Sequence, residues 1–209
     1  MNRFNTNTSI FFISILLFCI TIFQSSADAR YASIVIDEQT GKVLHASNPD
    51  RQRYPASLTK MMTLYMVFDA LDRGKLKLNQ RLRVSRRAQG MAPSKLGLKR
   101  GQSITVKDAI LALITKSAND VAVVVAESLG KTEINFAKMM TRKARSLGMR
   151  KTRFRNASGL PNRRQVSTAR DMATLARKLI TDFPQFYHLF KTQRFSYKRR
   201  TYRNHNRLL

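Results

Sequence analysis

A serine and a lysine stand one helical turn apart in Pro55-Ala56-Ser57-Leu58-Thr59-Lys60-Met61-Met62-Thr63, at the head of an apolar run. On a helix that spacing puts the hydroxyl and the ammonium on one face, close enough to share a proton. Burial at the head of an apolar helix depresses a lysine pKa from its usual ~10.4, and a neutral lysine can deprotonate the serine. Ser57 is then a candidate nucleophile and Lys60 its base. Ser57 also lies beside unpaired backbone donors at the positive end of the helix dipole. The Ser-x-x-Lys pattern alone is weak, since a chain of this length offers about one match by chance. A second pair, Ser128 with Lys131, straddles Gly130 at an expected helix end, so its side chains need not meet. The ordinary reading of the first pair is an N-cap serine followed by a solvated lysine.

A further feature separates the two readings. Ser117-Ala118-Asn119 is the only Ser-x-Asn in the chain, and it falls between two apolar helical runs, where a hydroxyl and a carboxamide can project into a cleft.

The elements that must position these residues follow from periodicity and punctuation. Tyr31 to Asp37 and Lys42 to Ala46 are strand-like segments around Glu38-Gln39-Thr40-Gly41, which predicts a β-hairpin. Apolar positions at Met61, Leu64, Tyr65, Phe68 and Leu71 predict a central buried helix from Ser57 to Arg73, ended by Gly74. Residues 75 to 104 read as loops with brief strands. Thr105-Val106-Lys107-Asp108 resembles a capping box opening a helix to about Thr115, and a second run from Val121 to Leu129 stops at Gly130. Helices are expected from Glu133 to Leu147 and from Ala169 to Ile180, with Asn156 to Asn162 as loop. The tail from Lys191 to Arg207 interleaves cations with Phe195, Tyr197 and Tyr202 and reads as a solvated, partly strand-forming segment.

From Tyr31 onward the chain resembles the low-molecular-mass penicillin-binding proteins, the serine D-alanyl-D-alanine carboxypeptidases. The resemblance is carried in order by the opening hairpin, by YPASLTKMMT, by KSANDVAVVVAE and by FRNASGLPNRRQVSTARDM. It implies the α/β (α+β) transpeptidase-like fold shared with β-lactamases, a helical cluster with an antiparallel sheet. It also implies an acyl-transfer enzyme that removes the terminal D-alanine of peptidoglycan stem peptides and is acylated by β-lactam antibiotics. Ser57 would be the acylated nucleophile, Lys60 the general base, Ser117 a proton relay toward the leaving amine, and Asn119 the group holding the substrate's peptide carbonyl. By the same resemblance the Ser57 amide is half of the oxyanion hole, and the other half follows a Lys-Thr-Gly motif. Gly130-Lys131-Thr132-Glu133 and Lys191-Thr192-Gln193 do not match that motif. The expectation is therefore a chain truncated before it, with an incomplete sheet and little or no activity of its own.

Other classes fit less well. The resemblance to a class A β-lactamase would require Ser-Asp-Asn and Glu-x-x-Leu-Asn, but position 118 is Ala, and neither Glu127 nor Glu133 is followed by Leu-Asn. No Gly-x-Ser-x-Gly surrounds a serine, and His45, His188 and His205 read as structural. No His-Glu-x-x-His or P-loop pattern occurs, so neither a metal nor another cofactor is expected. The alternative from another class is a non-catalytic, basic remnant that binds the cell envelope.

The chain has 209 residues, 43% of them hydrophobic, enough for one domain with a sizeable core. Its formal charge of +27 points to an anionic partner. The start of the chain decides which kind. A polar segment with Arg3 precedes the apolar run Ile10 to Phe23, and Ala27-Asp28-Ala29 follows it. Residues 1–29 read as a secretory signal peptide, with the mature chain at 30–209. Export to the periplasm or cell envelope favours an anionic envelope surface and leaves no expected role for nucleic acid. Cys19, the only cysteine, is lost with the leader, so the mature chain has no disulfide or thiolate chemistry. N-terminal sequencing of the exported protein is expected to begin at Arg30; a mature form that keeps Phe11 to Phe23 makes the segment an anchor instead.

Overall fold

Two helices buried on nearly every side form the centre of the molecule. In the computed structural model, residues 31–206 and 209 are described; the leader read at 1–29 lies outside them. Helix α1 (Thr59–Asp72) buries ten of its fourteen residues, from Thr59 and Lys60 to Phe68 and Ala70, as expected of a central helix. A 3-10 turn, Ala56–Leu58, precedes it. The helix therefore starts two residues later than Ser57. Ala56 adopts a left-handed φ of 46°, and the Ser57 side chain caps nothing.

After α1 the chain makes β3 (Arg81–Arg83), the short helix α2 (Arg86–Gln89) and β4 (Ser103–Thr105), and β3 pairs antiparallel with β4. Helix α3 (Val106–Lys116) opens on Thr105, whose hydroxyl accepts from the Asp108 amide at 3.0 Å, so the predicted cap is formed. Helix α4 (Asn119–Gly130) carries the run Val121 to Ala126, every residue at most 1% exposed. Valines have modest helix propensity, so burial against α1, α3 and the helix that follows is what holds this segment helical. Helices α5 (Glu133–Ser146) and α6 (Ala169–Asp182) are capped by Thr132 and Thr168 in the same way as α3. Helix α7 (Pro184–Tyr187) closes one end of α1 through Phe68, whose ring stacks on Phe186 at 4.9 Å and meets Phe183 edge-on at 5.9 Å.

The sheet is in pieces. β1 (Ser33–Ile36) pairs with β2 (Val43–Ser47), and β5 (Arg194–Tyr197) with β6 (Arg200–Arg203), each pair antiparallel. Among the described residues no strand joins these pairs into a larger sheet. The first hairpin lies against α6, where Arg177 donates to the Glu38 and Gln39 carbonyls at 2.9 and 2.8 Å. Val35, Val43 and Leu44 remain substantially exposed on it. Among the described residues the antiparallel strands expected from the sequence are present as three separate pairs. The tail hairpin packs on α3, with Phe195 buried and its ring against Tyr197 and Tyr202.

Helices α4 and α5 meet at their junction with almost no space. A Cβ built on Gly130 lies 2.7 Å from the Phe136 amide nitrogen and Cβ, so no side chain fits without moving the α5 backbone. Gly130→Ala is expected to cost about 1–3 kcal/mol in urea unfolding. Gly90→Ala, which meets nothing closer than 3.6 Å, is expected to stay within about 0.5 kcal/mol of the parent.

Candidate active site

The turn Ala56–Leu58 lifts Ser57 to the surface while Lys60, one turn on, is buried to 3% exposure. The Lys60 Nζ sits 3.4 Å from Ser57 Oγ and 2.5 Å from the Ser158 carbonyl oxygen. No carboxylate forms an ion pair with it among the described residues. Burial alone pushes its pKa down to about 8. The structure thus holds the Ser57 hydroxyl and the Lys60 amine, the two groups the sequence singled out, 3.4 Å apart.

The Ser158 carbonyl is placed by a loop built for close approach. Asn156 Oδ1 accepts from the Ser158 and Gly159 amides at 3.2 and 2.7 Å, and Asn156 Nδ2 donates to the Leu160 carbonyl at 2.9 Å. Gln165 Oε1 accepts from the amides of Arg155 and Asn156, and Gln165 Nε2 reaches Thr59 Oγ1 at 3.4 Å. The Ala157 amide donates to the buried Glu133 carboxylate at 3.1 Å, while the Ala157 carbonyl accepts from Thr63 Oγ1 at 2.7 Å. Gly159 has a φ of 87°, and a Cβ there would lie 1.9 Å from the Ala56 carbonyl oxygen. Only glycine lets this loop press against the turn that carries Ser57. Of these supporting residues, Asn156, Ser158, Gly159 and Gln165 lie within FRNASGLPNRRQVSTARDM, one of the segments that carry the resemblance, but the sequence reading assigns no role to any of them or to Glu133.

Ser117 bridges α3 and α4 with a left-handed φ of 53°, and Ala118 is extended, which makes the predicted helix break. Asn119 opens α4, two residues before the expected start. Its Nδ2 donates to the Ala92 and Pro93 carbonyls at 3.0 and 3.1 Å, and its own amide donates to Ser94 O at 2.7 Å. Next to it the fully buried Asp120 accepts from the amides of Leu96, Gly97 and Leu98. The start of α4 thus gathers the loop from Ala92 to Leu98. The structure brings Ser57 and Lys60 into contact, and α4 packs beside α1. Among the described residues it records no hydrogen bond from the Ser117 or Asn119 side chain to either of them. Ser128 is exposed at the far end of α4, and Lys131 turns away beyond Gly130 at a φ of 63°. No bond joins those two, as the sequence suggested.

The family model described as D-alanyl-D-alanine carboxypeptidase matches residues 21–209. The chain belongs to that family. It is similar to the D-alanyl-D-alanine carboxypeptidase DacF of Bacillus subtilis, with 38% identity over 149 residues that cover 71% of this chain and 38% of that protein. Penicillin binding protein 5 from Haemophilus influenzae superposes with a TM-score of 0.80 at 33% identity, covering 83% of this chain and 51% of that one. Penicillin-Binding Protein D2 from Listeria monocytogenes, in its ampicillin-bound form, gives a TM-score of 0.75 at 30% identity and covers 85% and 73%. The helical cluster with antiparallel strand pairs is the fold of these penicillin-binding proteins. The chain spans less than half the length of the curated relatives it matches.

The low pKa of Lys60 has a consequence for stability. Its folded value, about 8, lies below the ordinary 10.5, so between those two pH values the unfolded state binds more protons. The cost of burying the ammonium is present in full below pH 8 and is relieved as pH rises toward 10.5. The stability of the parent relative to Lys60→Met is therefore expected to rise across that window and stay flat below it, measured by urea unfolding at each pH.

Proposed function

We propose that this chain carries the acylation half of a serine-type D-Ala-D-Ala carboxypeptidase site, exported to the cell envelope behind a 1–29 signal peptide. The observation that carries the proposal is the buried Lys60 amine, with a pKa near 8, within 3.4 Å of the Ser57 hydroxyl. Near neutral pH an unassisted serine hydroxyl is a weak nucleophile, and a positioned base with a pKa close to the working pH makes it a strong one.

In the proposed reaction neutral Lys60 takes the Ser57 proton as Oγ bonds to the carbonyl carbon of the penultimate D-alanine of a peptidoglycan stem peptide. The negative charge on the carbonyl oxygen is held by the Ser57 amide. The C–N bond then breaks, and the departing D-alanine nitrogen receives the proton from the Lys60 ammonium by way of the Ser117 hydroxyl. Water adds to the ester with Lys60 again as base, which frees Ser57 and the shortened peptide. β-Lactams enter the same first step and stay bound as esters; the ampicillin-bound neighbour supports this part. Asn119 takes the substrate's peptide carbonyl by exchanging its bonds to Ala92 and Pro93 for it.

The second oxyanion donor and the carboxylate-binding lysine and threonine belong, in this proposal, to a Lys-Thr-Gly strand that the 209 residues do not contain. One missing oxyanion donor costs about 100–1000-fold in rate, so turnover by this chain alone is proposed to be weak. The formal charge of +27 also favours a second reading, a non-catalytic, basic remnant that binds the cell envelope.

Labelling with a fluorescent penicillin separates the two. Ser57→Ala is expected to abolish the covalent adduct, Lys60→Ala to slow its formation by about 100-fold or more, and Ser128→Ala to leave it unchanged. If labelling survives Ser57→Ala, with the adduct located by mass spectrometry, the Ser57 assignment fails. If the parent chain never labels, the remnant reading stands.

A further inference from the structure

The carbonyl that receives Lys60 is half of a peptide unit, and the other half is held as well. Ser158 O accepts from Lys60 Nζ at 2.5 Å and lies in one plane with the Gly159 amide. That amide donates to Asn156 Oδ1 at 2.7 Å, the shortest of the bonds this oxygen accepts. The Ser158 amide reaches the same oxygen at 3.2 Å, Gln165 Nε2 at 3.4 Å and the Ser158 hydroxyl at 3.5 Å. At its other end the carboxamide donates to the Leu160 carbonyl at 2.9 Å, so its oxygen and not its nitrogen faces the amides.

The other anchors of the loop act on other peptide units. Thr63 and Glu133 bind the carbonyl and the amide of Ala157, which belong to the two units before this one. Among the described residues the Ser158–Gly159 unit is bonded to Lys60 at one end and to Asn156 at the other, and to nothing else. Bonds linked in this way polarise one another, by about 10–30% each. A stronger acceptor at the amide end therefore makes the carbonyl a better partner for an ammonium. The charged groups of the elements around α1 are engaged elsewhere. Glu133 of α5 is paired with Arg87, Asp120 of α4 accepts the Leu96, Gly97 and Leu98 amides, and Asp171 of α6 accepts from Lys151 and Thr152. Lys116 of α3 lies over the Tyr202 ring, Asp69 of α1 holds Arg73 and Lys143, and Asp182 accepts from Tyr65. Arg155, Arg163 and Arg164 on the loop itself are exposed. Burial is the only cause of the lowered Lys60 pKa.

We propose that Asn156 is a positioning residue for Lys60, fixing through the Ser158–Gly159 peptide unit both the place and the polarisation of the carbonyl that holds the amine. It rests on the reading of Lys60 as the base for Ser57. A neutral carboxamide oxygen suits that task. It orients the unit without adding charge, whereas a carboxylate in its place would sit about 7 Å from Nζ along the chain of bonds and favour the ammonium. Without any acceptor the carbonyl is free to turn, and the amine loses its aim at Ser57 together with its best partner.

The test titrates Lys60 directly in the full chain, from the Nζ resonance of ¹⁵N-lysine-labelled protein, assigned by its loss in Lys60→Met. Asn156→Asp keeps Oδ1 and makes it a carboxylate, and is expected to raise the Lys60 pKa by about 1–2 at an effective ε of 20. Asn156→Ala removes the acceptor and is expected to lower it. Asn156→Ser can still accept from the amides as a turn hydroxyl and should fall between the alanine variant and the parent. Asn162→Asp adds the same charge to an exposed position of the same loop, where Oδ1 serves only the Arg164 amide, and is expected to move the pKa far less. Acylation by a fluorescent penicillin gives the second readout. The alanine variant should be slower by about 10–100-fold at saturating penicillin, with the half-saturating concentration little changed. The aspartate variant should lose about tenfold in rate at pH 7 for each unit of raised pKa and regain it as the pH rises toward 10. Should the alanine variant fail to fold by circular dichroism, the nearly isosteric aspartate variant decides. A Lys60 pKa that does not follow the order Ala, Ser, Asn, Asp overturns the proposal, as does an equal shift in Asn162→Asp. The titration needs no turnover, so it decides on Asn156 even in a chain that never labels, and failure of the acylation reading is seen separately, in the labelling.

Discussion

The burial of one lysine organises this molecule. An amine placed under the surface of an apolar helix loses its hydration, and only polar partners at close range can compensate. Lys60 finds two, the Ser57 hydroxyl and the Ser158 carbonyl. A carboxylate partner would have stabilised the ammonium and raised the pKa, making a good structural salt bridge and a poor base. A neutral carbonyl satisfies the hydrogen bond without adding charge, so the amine remains easy to deprotonate. The protonation of Lys60 therefore depends on where a backbone oxygen sits, and a chain has few ways to fix one.

The means used here is to nail down a loop at several points. Asn156 folds the loop onto itself, Gln165 ties its start to Thr59, and Glu133 and Thr63 hold the Ala157 amide and carbonyl. Asp120 does the same for Leu96 to Leu98 at the start of α4, and Asp171 for Lys151 and Thr152 at the start of α6. In each case a buried carboxylate near a helix N-terminus accepts at least one backbone amide from a neighbouring loop, Asp120 three of them, and Asp171 the Thr152 hydroxyl beside the Lys151 amide, and the local dipole favours its charge. The helices around the site are thereby joined to the loops that border it, with no strand between them. This also explains how the helical body can hold its shape while β1 and β2 remain a bare hairpin.

What could be read in the sequence follows from how local each constraint is. Caps at Thr105 and the glycines that end helices act within a few residues, so the boundaries of α3 and α5 were legible to within a residue or two. The Ser57–Lys60 contact is also local, one turn of helix. The head of α1 was less legible, because the left-handed Ala56 depends on Gly159 pressing against it from about a hundred residues away. The same distance hides Ser158, whose contribution is a carbonyl that every residue possesses. Asn119 was legible as a polar group at a helix break. That its side-chain carboxamide already donates to the Ala92 and Pro93 carbonyls was not, since nothing local requires it.

The excess of cations has a related origin. The chain has twelve carboxylates against thirty-nine lysines and arginines, and three of the twelve, Asp120, Glu133 and Asp171, are buried in the interior just described. Of these, Asp120 and Asp171 form no ion pair among the described residues while Glu133 neutralises Arg87, so no more than ten carboxylates are left to balance the cations. Of those, Asp50 and Asp69 each already serve two cations. Arg83, Arg86 and Arg100 form no ion pair among the described residues. Their mutual repulsion weighs against the compact state wherever counter-ions are dilute, and it falls where fixed negative charge is near. The loop anchors that give Lys60 its environment and the unpaired surface cations are in this sense two results of one allocation, a small number of acidic residues of which several serve the interior.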